Sequence, residues 1–289
     1  MPVALTKSNS SSRLRALAAT KGPEQRTQAW FDARMNAITC SDIAAVLGMN
    51  KYCSREDVMK KKLGFAKFTG NAACTHGTLN EDKAIEHYES ITNDLVADVD
   101  FGLRKHKKFP FIAGSPDGIT LSMRLLEIKC PYYARYKKIT SPKEMPAHYV
   151  PQVLVLMEIF DLSEARFVQF WPGNLVRDPK MNIVVVKRSA TWFHAQVPKL
   201  REFVDEMISR REQMRVDNIV PVPIITGDGA HGDPRSFANA PRDSEFEELL
   251  IPQEKKKAIL DECLVPNISC FRTGKKRCFS ELDIETESE

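Results

Sequence analysis

The chain reads as an α/β protein, a mixed sheet faced by helices, and three features of the sequence predict this. Short apolar runs with strand character recur near Phe109 to Ala113, Leu125 to Cys130, Ala165 to Trp171 and Ile183 to Lys187. Stretches with helical spacing alternate with them, as expected of a sheet covered by helices. With 289 residues, 43% of them hydrophobic, the chain is long enough to bury one full core and carry appendages.

Taken in order, residues 1 to 25 are rich in Ser, Thr, Lys and Arg and poor in bulky apolar groups, which predicts a flexible basic arm. A helix is expected over Gln25 to Ala33. Ser41-Asp42 ahead of Ile43-Ala44-Ala45-Val46-Leu47-Gly48 reads as a helix capped by Ser41 and closed by Gly48. Ser54-x-x-Asp57 is a capping box, and its helix stops at Gly64. Ala84, Ile85 and Tyr88 lie at helical spacing and predict a helix over Asn80 to Ser90. Glu81 then sits in its first turn, either facing the sheet or simply meeting the positive helix end. An apolar helix carries Gln152 and runs to Phe160. The Val-rich strand at Ile183 to Lys187 has the composition of a covered strand. Last comes a long helix over Ala190 to Arg215, with Phe193, Val197, Leu200, Val204 and Ile208 on one side.

The chemistry is concentrated between Ser115 and Pro131. Ser115-Pro116-Asp117-Gly118 is turn chemistry, because Pro fixes one backbone angle and Gly accepts a positive one. After a hairpin's interval the chain reads Leu126-Glu127-Ile128-Lys129-Cys130-Pro131. Side chains alternate along a strand, so Glu127 and Lys129 share a face and point toward the hairpin end that carries Asp117. Two carboxylates and an ammonium therefore converge. Hard oxygen donors of this kind suit Mg²⁺ or Mn²⁺, which polarise a phosphodiester and acidify a bound water. The amine beside them would either orient or deprotonate the attacking water, or stay charged and stabilise the phosphate. On its own, E-x-K is also common on surface hairpins; the adjoining turn and the apolar Leu125, Leu126 and Ile128 distinguish this one.

The pattern resembles that of PD-(D/E)XK nucleases, and the neighbouring blocks are similar to the lambda-exonuclease-like, or YqaJ viral recombinase, branch. Trp30-x-x-x-Arg34 with Ile38-Thr39-Cys40-Ser41-Asp42-Ile43 resembles the family's first block. Gly77-Thr78-Leu79-Asn80-Glu81 resembles its G-x-x-x-E segment, and Tyr149-Val150-Pro151-Gln152 its Y-x-x-Q helix. The blocks come in the family's order, from about Trp30 to Trp171. Cys40 departs from the small Ala or Gly usual there. The resemblance implies a PD-(D/E)XK restriction-endonuclease-like core, a central mixed β-sheet flanked by helices, within a nuclease domain spanning 26–224. It implies Glu81, Asp117 and Glu127 as ligands of Mg²⁺ or Mn²⁺, with the carbonyl of Ile128 as a fourth, Lys129 at the water and Gln152 in support. Arg34, Ser41 and Ser115 would grip the 5′ phosphate of the degraded strand. It further implies a 5′ to 3′ exonuclease on linear duplex ends, an annealing protein as partner and a homo-oligomeric ring. Within the same residues, an endonuclease acting on branched DNA or RNA, or a silent DNA-end-binding module, remains open.

Charge is unevenly spread. The chain carries +4 overall, yet from Ile225 onward there are nine Lys and Arg against fourteen Asp and Glu, leaving thirty-three against twenty-four before it. A positive body suits a polyanion. Arg104-Lys105-His106-Lys107-Lys108 and the run from Arg135 to Lys143 flank the hairpin, and Tyr132, Tyr133 and Tyr136 interleave with the second; such clusters either line a DNA channel or form a solvated face. Residues 225–289 read as linker and charged tail, in which Lys255-Lys256-Lys257 and Lys275-Lys276-Arg277 are short basic runs suited to nuclear import or DNA contact. Seven cysteines without a C-x-x-C pair predict free thiols rather than structural zinc. No run approaches the roughly eighteen apolar residues of a membrane span and no signal peptide opens the chain, so an intracellular protein is expected.

Overall fold

A computed structural model describes residues 7–68, 70–132, 137–174 and 176–226. The expected tail beyond Thr226, with its basic runs, and Tyr133, Arg135 and Tyr136 lie outside the described residues.

The first helix, α1 (Lys7–Ala19), replaces most of the flexible arm expected there. Leu14 explains the difference, since it is 1% exposed and seated in the main core. Arg104 fixes the end of α1 by donating to the Leu17 carbonyl at 2.7 Å and to the Thr20 hydroxyl at 2.7 Å. That cation is thereby engaged within the fold. His106 is buried as well and accepts the Lys108 and Phe109 amides, so Lys105, Lys107 and Lys108 are the exposed members of the first basic cluster.

Helix α2 (Gln28–Met35) is capped by Thr27 and leads into β1 (Ile38–Thr39) and α3 (Cys40–Val46). Thr39, not Ser41, caps α3: its amide and hydroxyl both donate to Asp42 Oδ2, at 3.3 and 2.6 Å. Gly48 closes the helix at φ 71°, as its type predicts. Helix α4 (Arg55–Lys62) begins with the expected box, Ser54 Oγ accepting the Asp57 amide while Asp57 accepts that of Ser54. After β2 (Ala66–Phe68), helix α5 runs over Ala72–Thr92, capped by Asn71. It starts well before Asn80, which puts Glu81 mid-helix rather than in the first turn. An interior position removes any helix-end role for its charge.

Short strands β3 (Arg104–Lys105), β4 (Ile112–Gly114) and β5 (Gly118–Ile119) precede β6 (Leu125–Lys129). A 3₁₀ turn at Pro142–Glu144, helix α6 (Val150–Phe160), β7 (Glu164–Trp171), β8 (Lys180–Lys187), helix α7 (Ala190–Val216) and β9 (Ile224–Thr226) complete the described chain. One sheet has the order β5-β6-β7-β8, with β6 parallel to β7 and antiparallel to β5. Another places β4 between β1 and β3, and β2 pairs with β9. The α7 stripe passes through Phe193, Leu200, Phe203, Val204 and Met207; Ile208, expected on it, is exposed.

Two contacts hold the parts beside the hairpin together. A Cβ on Gly114 would stand 2.5 Å from Cys40 Sγ and 2.7 Å from Leu156, so only glycine lets β4 approach α3 and α6 this closely. Lys62, 2% exposed, donates to Asp42 Oδ2 at 2.8 Å and to the Arg34 carbonyl at 2.6 Å, while Lys61 donates to Asp42 Oδ1 at 2.7 Å. Burial alone would raise the Asp42 pKa, but the two ammoniums outweigh it and hold the carboxyl well below its ordinary range. Asp42→Asn leaves the Lys62 charge buried without its counter-charge and is expected to cost about 3–5 kcal/mol in denaturant unfolding. A loss under about 1 kcal/mol would show that Lys62 finds another partner.

Candidate active site

The carboxyl ends of β1, β4 and β6 meet the start of α6, and the site forms where they do. Parallel pairing of β1 with β4 matches Ile38 to Ile112 and Thr39 to Ala113. Each strand then delivers its next polar residue to the same place, Ser41 from α3 and Ser115 from the turn after β4. Antiparallel β5 and β6 return the chain so that Asp117 Oδ2 accepts the Ile128 amide at 2.6 Å. Along β6 the Leu126 and Ile128 side chains go down into a second apolar cluster with Tyr88 and Val168, which leaves Glu127 and Lys129 on the opposite face, as alternation predicts.

Glu127 is the centre of this group and is 1% exposed. Its Oε1 accepts from Lys129 Nζ and, at 2.5 Å, from Gln152 Nε2. All of α6 except Gln152 is buried, so the one polar residue on that face is the one aimed at Glu127. Its other oxygen, Oε2, is buried with no hydrogen-bond partner among the described residues. Burial, then the charge of Asp117, pushes the Glu127 carboxyl up to about 8, and burial with Asp117 pushes Glu81 up to about 7. Asp117 is raised by burial as well, and the Cys130 thiol is pushed up to about 11 by burial, Glu81 and Asp117. Burial works against the Lys129 ammonium, yet Glu127 and Asp117 outweigh it and hold its pKa above the ordinary value.

Beside these groups lies a pocket of about 140 Å³, lined in part by Arg34, Ser41, Ser115, Asp117, Glu127 and Lys129. Arg34 lies over the Trp30 ring, 4.2 Å from its centre, and donates to Ser41 Oγ at 3.2 Å. Trp30 Nε1 donates to Ser115 Oγ at 3.0 Å. The structure thus unites most of the residues singled out in the sequence. Glu81 stands apart from the pocket lining and pairs at 2.8 Å with Arg26. Each of the three acids is turned to an N–H or a cation of the protein, and among the described residues no three His, Cys, Asp or Glu side chains are arranged to hold a metal ion. Ile128 contributes its amide to this arrangement. Gln25 and Arg26, expected at the start of the helix over Gln25 to Ala33, instead precede α2, which Thr27 caps, in a loop that folds over the Pro116 carbonyl; no site role was expected of either. Cys40 lies in the pocket wall against Gly114, where burial and Glu127 raise its pKa and keep the thiol neutral.

The raised carboxylate values set a sign for stability. A folded-state pKa above the unfolded one means protons are taken up on folding, so stability falls as pH rises from about 4.5 to about 8 through Glu127. Glu127→Gln is expected to stabilise the metal-free protein at pH 8 by about 1 kcal/mol or more, about 2–4 °C in Tm, with the gain shrinking at pH 5. Equal gains at both pH values would mean that the carboxyl does not titrate in this window.

A family model described as the YqaJ-like viral recombinase domain matches residues 29–163. The chain is 28% identical over 159 residues to Protein D345L of African swine fever virus, covering 45% of each. It is also 28% identical over 163 residues to protein R354 of Acanthamoeba polyphaga mimivirus, covering 50% of this chain and 29% of that one. The match spans less than half the length of these curated relatives. Among solved structures, the crystal structure of an alkaline exonuclease, LHK-Exo, from Laribacter hongkongensis superposes with a TM-score of 0.52 at 24% identity, over 66% of this chain and 98% of that one. A second crystal structure of LHK-Exo, in complex with dAMP, matches equally. Mixed sheets flanked by helices, with Asp117 between β4 and β5 and Glu127 in the middle of β6, give the PD-(D/E)XK fold its expected form here. Over residues 29–163, then, this chain is similar to the YqaJ-like viral recombinase domain.

Proposed function

We propose that the protein is a divalent-metal deoxyribonuclease that trims linear duplex DNA from a 5′ end, leaving a 3′ single strand. The observation that carries this reading is that one pocket is lined both by Arg34, Ser41 and Ser115 and by Asp117, Glu127 and Lys129. A phosphate gripped by the first set lies next to the acids and amine of the second. The family match and the fold shared with an alkaline exonuclease support it, as does the dAMP found with that enzyme, a deoxynucleoside monophosphate of the class such trimming releases.

The acids fit a hard divalent cation. Among the described residues Glu127 Oε2 is buried and unpartnered, and beyond burial Asp117 raises the pKa of both Glu81 and Glu127 while Glu81 raises that of Glu127, a repulsion that a cation relieves. In this reading Glu81, Asp117 and Glu127, with the Ile128 carbonyl, hold Mg²⁺ or Mn²⁺. Such an ion supplies charge neutralisation and an acidified water. Arg34 forms a charge-assisted contact with the terminal phosphate, and the Trp30 ring and Ser41 hold its guanidinium in position. Lys129 stays protonated beside Glu127 and Asp117, which favours stabilising the phosphate charge and orienting water over proton abstraction. Gln152 fixes the rotamer of Glu127 through its amide. An annealing protein as partner and a ring of subunits are what the family resemblance implies. Among the described residues no helix is long and apolar enough to cross a membrane.

Digestion of 5′-phosphorylated linear duplex, 5′-hydroxyl duplex and closed circular DNA, with and without Mg²⁺, tests the proposal. Rapid Mg²⁺-dependent loss of the phosphorylated linear form alone is the expected result; cleavage of the circle indicates an endonuclease, and binding without loss a DNA-end-binding module. Lys129→Ala is expected to lower turnover about a hundredfold or more while DNA binding stays nearly intact. Turnover like the wild type's would remove Lys129 from the mechanism. Arg34→Ala should erase the preference for a phosphorylated end, measured as the ratio of kcat/KM on the two linear substrates. An unchanged ratio would place the grip elsewhere.

A further inference from the structure

Arg26 stands at φ 65°, in the left-handed region that side-chain-bearing residues disfavour. Such a conformation persists only where its surroundings impose it, and here they do. The Gln25 amide donates to Asp100 at 2.8 Å and Gln25 Nε2 to the Pro116 carbonyl at 3.1 Å. On the other side Thr27 donates to the Glu24 carbonyl at 2.7 Å and caps α2. The backbone is therefore clamped onto the Ser115-Pro116-Asp117-Gly118 turn, and the strained residue between the clamps sends its guanidinium to Glu81 Oε2 at 2.8 Å. Its charge also reaches Asp117. Unlike Arg34, which lies against Trp30 in the pocket wall, the Arg26 side chain is 58% exposed.

We propose that Arg26 is a DNA-binding residue held in reserve on Glu81: a divalent cation and the guanidinium compete for that carboxylate, and Arg26, once displaced, takes a phosphate of the bound strand. This rests on the metal-dependent reading above. A carboxylate oxygen that accepts a full charge-assisted hydrogen bond is a weaker donor to a cation, and the like charges of the Arg26 guanidinium and the ion repel across it. A freed guanidinium at the rim of a phosphate pocket, still anchored by its clamped backbone, meets the polyanion without a search.

Arg26→Gly suits the test, because glycine adopts the left-handed backbone at no cost and the variant should fold. Titration of the metal-free proteins with Mg²⁺ by calorimetry is expected to show about two- to fivefold tighter binding in Arg26→Gly, the range for loss of one exposed ion pair. Equal or weaker binding overturns the proposal. The second measurement is the salt dependence of binding to a 5′-phosphorylated duplex, with Lys129→Ala in both proteins so that the DNA survives. In Mg²⁺ the slope of log Kd against log KCl should be smaller by about 0.9 in the glycine variant, one phosphate contact, and in EDTA the two slopes should agree. Equal slopes in Mg²⁺, or a difference that persists in EDTA, overturns the exchange. If neither protein binds Mg²⁺ or Mn²⁺, the metal-dependent reading falls as well; Mg²⁺ binding and cleavage with no effect of Arg26→Gly removes Arg26 alone.

Discussion

Everything around the hairpin follows from burying Glu127. A carboxylate taken out of water within a central strand is tolerated only with counter-charge and hydrogen bonds at hand. Lys129 and Gln152 supply these to one oxygen, and among the described residues nothing supplies them to the other. With Asp117 and Glu81 nearby, ionising these carboxyls is costly, so the pKa values of Glu127 and Glu81 are raised. That cost, which grows as pH rises and the groups ionise, destabilises the empty protein and favours a cationic occupant, as is common at functional sites.

The rest of the pocket lining depends on packing with little charge. Gly114 lets β4 lie against Cys40 and Leu156, and the β1–β4 register then sets Ser41 opposite Ser115. Beneath that contact, the buried Lys62 ties the carbonyl of Arg34 to the carboxylate of Asp42. One ammonium thus fixes the distance between the helix that carries Arg34 and the helix that carries Ser41. The largely apolar helix α6 closes the arrangement from behind, its Gln152 turned to Glu127. Buried acids together with rigid spacing are what a pocket for a terminal phosphate beside a reactive centre requires.

Local pattern made much of this legible. The alternation on β6, the capping box at Ser54 and the closing Gly48 are short-range effects, and each takes its expected form, whereas Gly118 opens strand β5 instead of taking the positive φ expected of a turn. Where expectation and structure part, a long-range contact is responsible. Leu14 finds a core and orders a helix in a segment whose composition is polar. Thr39 takes the cap of α3 because β1 ends there, and α5 starts before Asn80 because Asn71 offers the earlier cap. Of the basic run in the sequence, His106 belongs to the interior in space and Arg104 is taken up in holding the end of α1.

The sequence by itself determined which residues would share a strand face and which turn would bring an acid back to them, since periodicity and turn chemistry act over a few residues. It also carried the block pattern of the YqaJ-like domain. Only the tertiary structure decided that Glu127 lies buried with one bare oxygen, that Glu81 is held by Arg26, and that two serines 74 positions apart in the chain share a pocket with Arg34. Burial and charge coupling depend on distances between segments far apart in the chain, and these are fixed by how helices and strands pack.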